Sequence, residues 1–359
     1  MKSQESLQDV YSELENKTSQ IVNYIEMKLF EIYPFLLTQY TKEGLERTRE
    51  DIKFHLEYLK AAIQFNDKAI FLDYVAWLKI FFANINLKEE YYLASIRLIK
   101  DAVAKQINNV ETNSITDVID FALNRFGSLP TYASSHILEL PENKHSVLAH
   151  LYLNALLRRE RETAEQLIFK AIGNGTHIKE IYMNVFQPVQ YEIGRLWQHN
   201  KLSVAMEHYC TAATQFISTR FYDQVFSSTK NGNRLISLSV AGELHEFGIR
   251  MVSDFFEMDG WSTYYLGANT PNNSLIELIH EIKPHVVAIS SAIPSNVKNI
   301  KSIISTVRNE FSTNEVKVIV GGIPFNRSRD LWRQIDADGF APDAQNAVFE
   351  ANKLISTMV

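Results

Sequence analysis

The first third of the chain shows the spacing of helices. Apolar residues recur at intervals of three and four positions from residue 1 to about 128, with Pro34 as the only proline. Residues 45–65 and 68–85 predict two strong helices, and Asn66-Asp67 between them supplies turn and N-cap side chains. We predict a helical N-terminal domain over residues 1–130.

A second helical region follows a break. Pro130, Pro141 and several small polar residues interrupt the pattern, and they predict a linker over residues 131–145. Helical spacing then returns over residues 146–230, where Gly173-Asn174-Gly175 supplies a helix C-cap. This region predicts a four-helix bundle.

The pattern changes after Lys230. Short apolar runs rich in β-branched residues now alternate with helical stretches, which is typical of βα units around a parallel sheet. The predicted strands lie at 235–241, 262–267, 285–291, 316–322 and 337–341. The predicted fold class is therefore α/β plus all-α, with a doubly wound five-stranded parallel sheet over residues 231–359.

Composition and charge exclude several classes of function. The 359 residues carry a net charge of −6 and contain no dense run of Lys or Arg, which argues against nucleic-acid binding. The polar N-terminus is no secretory signal, and no segment offers about 18 consecutive apolar residues, so we expect no membrane span and a cytoplasmic protein. The single cysteine, Cys210, lies in an apolar helix and is expected to be a buried structural thiol.

Candidate chemistry follows the first predicted strand. In a doubly wound sheet, ligands bind beyond the carboxyl ends of the strands, so His245 is expected to project into that crevice. A metal-ligating imidazole needs a partner for its second nitrogen, and Glu243 is placed to serve. Gly248 would let the next helix approach a ligand. A histidine after a strand is, however, often only a hydrogen-bonded loop residue.

Two further loops at the same edge of the sheet are small. Ser290-Ser291-Ala292 follows the third strand, and Gly321-Gly322 follows the fourth. Together these loops predict a slot that admits a nucleotide-like tail. Taken singly, the glycine pair has a simple backbone explanation.

These motifs resemble the cobalamin-binding domain of methionine synthase, mutases and corrinoid proteins, whose signature is Asp-x-His-x-x-Gly, Ser-x-Leu and Gly-Gly. The matching positions are Glu243, His245, Gly248, Ser290, Ala292, Gly321 and Gly322. The resemblance implies a Rossmann-like, flavodoxin-like domain in which His245 is the axial ligand of cobalt. Glu replaces Asp and Ala replaces Leu, and ligation by His245 is expected to survive both changes.

The bundle carries a second motif. Trp197 is followed after nine residues by Glu207-His208, and an indole with a carboxylate suits a bulky polar ligand. The alternative is a core tryptophan beside an ordinary polar pair. The spacing resembles light-sensing cobalamin proteins of the CarH type, which implies adenosylcobalamin with these three residues over its upper face. Gln198 stands where that family has a cobalt-ligating histidine, and His199 follows it.

The N-terminal helices hold a polar stripe among aromatic residues. Asp51, His55 and Tyr58 share one helix face, and Tyr74 and Trp77 lie on the next helix. A solvated face above an aromatic core is the simpler interpretation. The domain order resembles photocobilins, which implies a globin-like N-terminal domain that binds biliverdin through these residues. Residues 1–209 contain no cysteine, so biliverdin would be held noncovalently.

Two functions follow from these resemblances. The first is a light sensor and signal-transduction protein that uses adenosylcobalamin and biliverdin. Photolysis of the cobalt–carbon bond is expected to change the assembly of a homo-oligomer, expected to be a dimer. An unidentified signalling partner is expected to receive the signal. The alternative is a corrinoid methyl carrier of a methyltransferase system. A module that has lost its cofactor is disfavoured because His245 and both glycines are present. No nucleophile and base pair or phosphate loop is evident, so we do not expect an enzyme.

Overall fold

The computed structural model describes residues 4–107, 112–133, 138, 143–328 and 330–358. The chain divides into two compact units, Met1–Ala133 and Ser134–Val359. The finer sequence-based division stays a prediction, and residues 134–137 and 139–142 of the predicted linker lie outside the described residues. Within the described residues, no helix is long and apolar enough to cross a membrane.

The first unit is helical throughout its described residues. Its two central helices begin at side-chain caps, because Thr41 accepts from the Gly44 amide and Asp67 from the Ala69 amide. The helices are α1 (Gln4–Ile32), α2 (Leu36–Gln39), α3 (Lys42–Gln64), α4 (Lys68–Asn84), α5 (Glu89–Gln106) and α6 (Asn113–Leu123). The long helix α1 packs against α3 and α5, and its core side chains include Leu14, Ile21 and Ile25. Burial of these apolar surfaces holds the unit together.

The second unit begins with a helical bundle. Its helices are α7 (Ser146–Leu157), α8 (Arg161–Gly173), α9 (Ile178–Ile181), α10 (Gln187–Gln198), α11 (Val204–Thr219) and α12 (Tyr222–Val225). A π-helical turn, Tyr182–Phe186, joins α9 to α10. Cys210 is fully buried in this bundle, and burial raises the pKa of its thiol to about 11.

The sheet follows the bundle in the same unit and confirms the predicted fold class. Its strands are β1 (Arg234–Ser239), β2 (Ser262–Tyr265), β3 (Val286–Ser290), β4 (Lys317–Gly321) and β5 (Gly339–Ala341). They are parallel and ordered β2-β1-β3-β4-β5. The helices between and after them are α13 (Phe247–Met258), α14 (Asn272–Ile282), α15 (Val297–Glu310), α16 (Ile323–Arg327), α17 (Leu331–Gln334) and α18 (Ala344–Ile355).

The strand order determines where a ligand can bind. The chain leaves β1 towards the edge strand β2, and then returns to β3 on the other side of β1. The connections after β1 and β3 therefore diverge, which opens a crevice at the carboxyl ends of these two strands. Residues after Ser239 and after Ser290 lie at this crevice.

Candidate cofactor site

The loop between β1 and α13 presents an imidazole in a defined orientation. Gly242 turns the chain with a φ of +83°, and its amide donates to the Asn269 side chain at 2.9 Å. His245 places Nδ1 2.6 Å from Glu243 Oε1, and its backbone amide donates to the same oxygen at 3.0 Å. The His245 side chain is 62% exposed. Its Nε2 has no hydrogen-bond partner among the described residues.

Glu243 is completely buried, and its second carboxylate oxygen collects four further donors. Oε2 accepts from Ser291 Oγ at 2.8 Å, the Ala292 amide at 2.9 Å, the Ile293 amide at 3.2 Å and Asn296 Nδ2 at 3.1 Å. Burial by itself would raise the pKa of this carboxyl, but the hydrogen bonds, led by the one from His245, lower it to about 2.

The ionised state of Glu243 determines the tautomer of His245. A carboxylate can only accept, so the imidazole proton lies on Nδ1 and the Nε2 lone pair is available to a metal. The hydrogen bond from His245 to Glu243 raises the pKa of this imidazole, against desolvation, and the Glu207 carboxylate raises it further. Glu207 therefore lies within electrostatic reach of His245.

Small residues shape the neighbouring loops. Ser290 is the half-buried last residue of β3, Gly321 is the last residue of β4, and Ala292 contributes the amide that reaches Glu243. Gly322 has a φ of +102°, and a Cβ there would lie 2.0 Å from the Ser291 carbonyl oxygen. Glycine is therefore required at 322 to let Ser291 approach. Gly248 lies in the first turn of α13, where an added Cβ would meet no atom within 4 Å.

The second motif lies on two adjacent helices. Half-buried Trp197 is near the end of α10, and Glu207-His208 is near the start of α11. His208 is 75% exposed and lies 3.4 Å from the Glu207 carboxylate. The side chain of Gln190, early in α10, donates from Nε2 to Thr214 Oγ1 and accepts at Oε1 from Thr211 Oγ1, both at 2.9 Å, and both threonines lie in α11. Because a short connection joins the end of α10 to the start of α11 while early α10 meets later residues of α11, the helices are antiparallel, which brings Trp197 and Glu207 to one end of the bundle.

Helix α11 lies over the loop that carries His245. Gln215 donates from Nε2 to Glu246 Oε1 at 3.1 Å, and Glu246 Oε2 accepts from the Ala268 amide at 3.0 Å. This hydrogen bond, together with the electrostatic influence of Glu207 on His245, places the site between α11 and the carboxyl end of the sheet. No three ligating side chains of His, Cys, Asp or Glu cluster in the described part of the chain.

Comparisons with known proteins agree with this geometry. The sheet region matches the B12 binding domain family over residues 233–349, and a second B12 binding domain family matches the bundle over residues 148–220. The chain carries a cobalamin-binding module. The module comprises the bundle and the sheet, and His245 lies where the two meet.

Curated relatives share this module. The chain is 25% identical over 219 residues to the dimethylamine corrinoid protein of Methanosarcina barkeri. The aligned region covers 60% of this chain and 100% of that protein. It is 26% identical over 211 residues to the trimethylamine corrinoid protein of the same organism. That alignment covers 57% of this chain and 95% of the relative. The solved monomethylamine corrinoid protein of M. barkeri has the same fold, with a TM-score of 0.53 and 17% identity over 58% of this chain and 99% of that one.

The prediction of a light sensor is wrong. The relatives are corrinoid proteins named for methylamines, and they support the alternative function instead. That prediction depended on Trp197 and Glu207-His208, because their spacing resembles light-sensing cobalamin proteins. The second family match covers all three residues, so the helical region that holds them is shared with a B12 binding domain family.

The residues predicted to contact biliverdin are largely engaged with one another. His55 is 1% exposed, and its two nitrogens lie 2.8 Å from the Tyr74 hydroxyl and 3.0 Å from Ser95 Oγ. The Tyr58 ring stacks on Tyr74 at 4.1 Å, and Trp77 stacks on Phe81 at 5.0 Å. Of the five, Asp51 and His55 line a cavity within the first unit. Their role towards a pigment stays a prediction.

Several site residues were missed from the sequence. Ser291 and Asn296 bind Glu243, although the motif pointed to Ser290, and Gln215 joins the bundle to Glu246. The only sequence signal was the second serine in Ser290-Ser291. Since adjacent strand residues face opposite sides, the sequence could not decide which serine turns towards Glu243.

Proposed function

We propose that this protein is a corrinoid carrier that presents a methyl group to a methyltransferase. The observation that carries the proposal is the His245 imidazole, oriented by Glu243 and exposed at Nε2 beneath α11. The relatives named as dimethylamine and trimethylamine corrinoid proteins favour this function over other uses of cobalamin. When bound, the cobalt of a corrinoid carries the methyl group between a donor and an acceptor.

The residues of the chain have separate tasks in this proposal. Glu243 fixes the tautomer and orientation of His245, and it holds the Nδ1 proton while Nε2 ligates the metal. The small loops at Ser290 and Gly321 accommodate the tail of the cofactor. Trp197 and Glu207 limit access of water to the upper side, because the end of the bundle that holds them covers the crevice.

Replacement of His245 tests the proposal. His245→Ala should weaken binding of methylcobalamin at least tenfold, and it should remove the spectral change that accompanies ligation by imidazole. His280→Ala is a matched control, since His280 is 58% exposed and also lies 2.6 Å from a carboxylate, that of Glu310. Titration followed by absorption spectroscopy measures both effects.

Two results would contradict the proposal at different points. Equal spectra for wild type and His245→Ala would exclude axial ligation by this residue. If wild type binds methylcobalamin but passes no methyl group to a thiolate acceptor in the presence of a methyltransferase, the carrier role is refuted while cobalamin binding stands.

Other expectations from the sequence stay predictions alongside this proposal. They are an adenosyl upper ligand, noncovalent biliverdin, a homodimer, a cytoplasmic location and the absence of catalytic turnover by the chain alone. Reconstitution with methylcobalamin and adenosylcobalamin in parallel would rank the two upper ligands by affinity. Addition of biliverdin to the purified protein would show a bound pigment by its absorption.

A further inference from the structure

The first unit contains a cavity that the cobalamin site does not use. The cavity has a volume of about 30 Å³ and is lined by residues of α1 to α5, which include Asp51, Tyr92 and His55. Both family matches lie after residue 147, so this cavity is outside the cobalamin-binding module. A cavity of this size has room for about two water-sized groups.

Two polar groups at the cavity have no hydrogen-bond partner within the described residues. Tyr92 is 4% exposed, and its buried hydroxyl is unpartnered. The half-buried Asp51 carboxylate meets no donor, and Arg47, one turn earlier, acts on it only at a distance. Burial raises the pKa of Asp51 to about 6, and the neighbouring Glu50 carboxylate adds to this effect. A buried hydroxyl without a partner, beside a carboxylate whose pKa is raised by burial, indicates a site that can accept a ligand.

The rest of the lining limits the chemistry of that ligand. Tyr40, Tyr91 and Phe82 add aromatic rings, while no lysine or arginine lines the cavity. Both nitrogens of His55 are already engaged, by Tyr74 and Ser95, and complete burial lowers the pKa of this imidazole to about 3, so it is neutral. A carboxylate surrounded by aromatic rings favours a cation with an apolar surface and disfavours an anion.

We propose that the cavity at Asp51 and Tyr92 binds a small organic ammonium ion of the size of methylammonium, whose carbon and nitrogen correspond to two water-sized groups. The Asp51 carboxylate pairs with the ammonium charge, the Tyr92 hydroxyl accepts one of its N–H groups, and the rings of Tyr40, Tyr91 and Phe82 surround its methyl group. The proposal does not depend on the proposed carrier function, because it concerns a separate unit of the chain.

Calorimetric titration of the full chain near pH 8 tests this site. Methylammonium chloride should bind saturably, whereas sodium chloride at equal ionic strength and the bulkier tetraethylammonium should not. Asp51→Asn should weaken binding at least tenfold while it stabilises the fold, since it removes a buried unpaired charge. Tyr92→Phe should weaken binding a few fold. Asp101→Asn, which changes an exposed carboxylate of the same unit, should have no effect.

The outcomes separate this proposal from its alternatives. Absence of saturable ammonium binding by wild type would overturn it, as would equal affinity in Asp51→Asn. Binding of biliverdin at this cavity without any ammonium binding would also overturn it, in favour of a pigment site. Failure of methyl transfer by the loaded protein would leave it untouched.

Discussion

Glu243 shows how one side chain organises a site. Its two oxygens collect contacts from His245 on its own loop and from the segment after β3, which includes Ser291 and Asn296. Each donor favours the ionised form, and together they overcome the cost of burying the charge. The longer side chain of Glu relative to Asp still reaches both loops, as the sequence comparison with the cobalamin signature led us to expect.

Glycine is required at position 322 because it lets Ser291, which binds Glu243, approach closely. Gly322→Ala should destabilise the protein by about 2 kcal/mol or more, because the new Cβ would lie 2.0 Å from the Ser291 carbonyl and the residue has a φ of +102°. Urea unfolding measures this loss, and cobalamin affinity should fall with it because Ser291 must move.

Gly248 offers the matched comparison. An added methyl group there meets no atom within 4 Å, so Gly248→Ala should leave stability unchanged or raise it by up to about 1 kcal/mol. If Gly248 faces the cofactor, cobalamin affinity should fall without loss of stability. Equal losses of stability in the two variants would disprove the steric argument at Gly322.

At the scale of elements, a buried contact joins the bundle to helix α13. Tyr182, in the π-helical turn before α10, donates its hydroxyl to Asp254 Oδ2 at 2.6 Å. Burial raises the pKa of the Asp254 carboxyl to about 6, although this hydrogen bond and Arg250 lower it. Because the pKa is higher in the folded state than in the unfolded state, Asp254 lowers the free energy of unfolding as the pH rises from 4 to 6 and above.

Tyr182→Phe should therefore act in a pH-dependent way. Loss of the donor should raise the pKa of Asp254 further and destabilise the ionised form by about 1 to 3 kcal/mol. The loss should be larger at pH 8, where the wild-type carboxyl is ionised, than at pH 5, where it is largely protonated. Denaturant unfolding of wild type and variant at the two pH values measures the difference. A loss that is the same at both would show that Asp254 is not the group affected.

At the scale of the whole molecule, both family matches lie in the second unit, Ser134–Val359. A fragment of these residues should fold alone and bind methylcobalamin with the affinity of the full chain, since its bundle and sheet share one continuous core. Titration of fragment and full chain under identical conditions tests this. An affinity more than tenfold weaker in the fragment would assign residues 1–133 a part in cofactor binding.

The failure of the light-sensor prediction belongs to this scale as well. The spacing in the sequence identified Trp197, Glu207 and His208. It correctly predicted that they lie at one end of the bundle, where α10 ends and α11 begins. Spacing does not say what lies above the metal, because that depends on the whole surface around these residues. The relatives, compared over more than half of the chain, decided against light sensing.

Much of this protein followed from its sequence. Periodicity predicted the helices, because burial of one face imposes a local repeat. Short apolar runs rich in β-branched residues predicted all five strands, because the central strands β1, β3 and β4 are buried on both faces. Glu243 and His245 were paired correctly, because two residues of separation on one loop keep side chains within reach. The tertiary structure alone decided that Ser291 rather than Ser290 binds Glu243, and that His55 binds Tyr74 and Ser95. These contacts join residues 19 to 48 positions apart, and such distances leave no periodic trace in the chain.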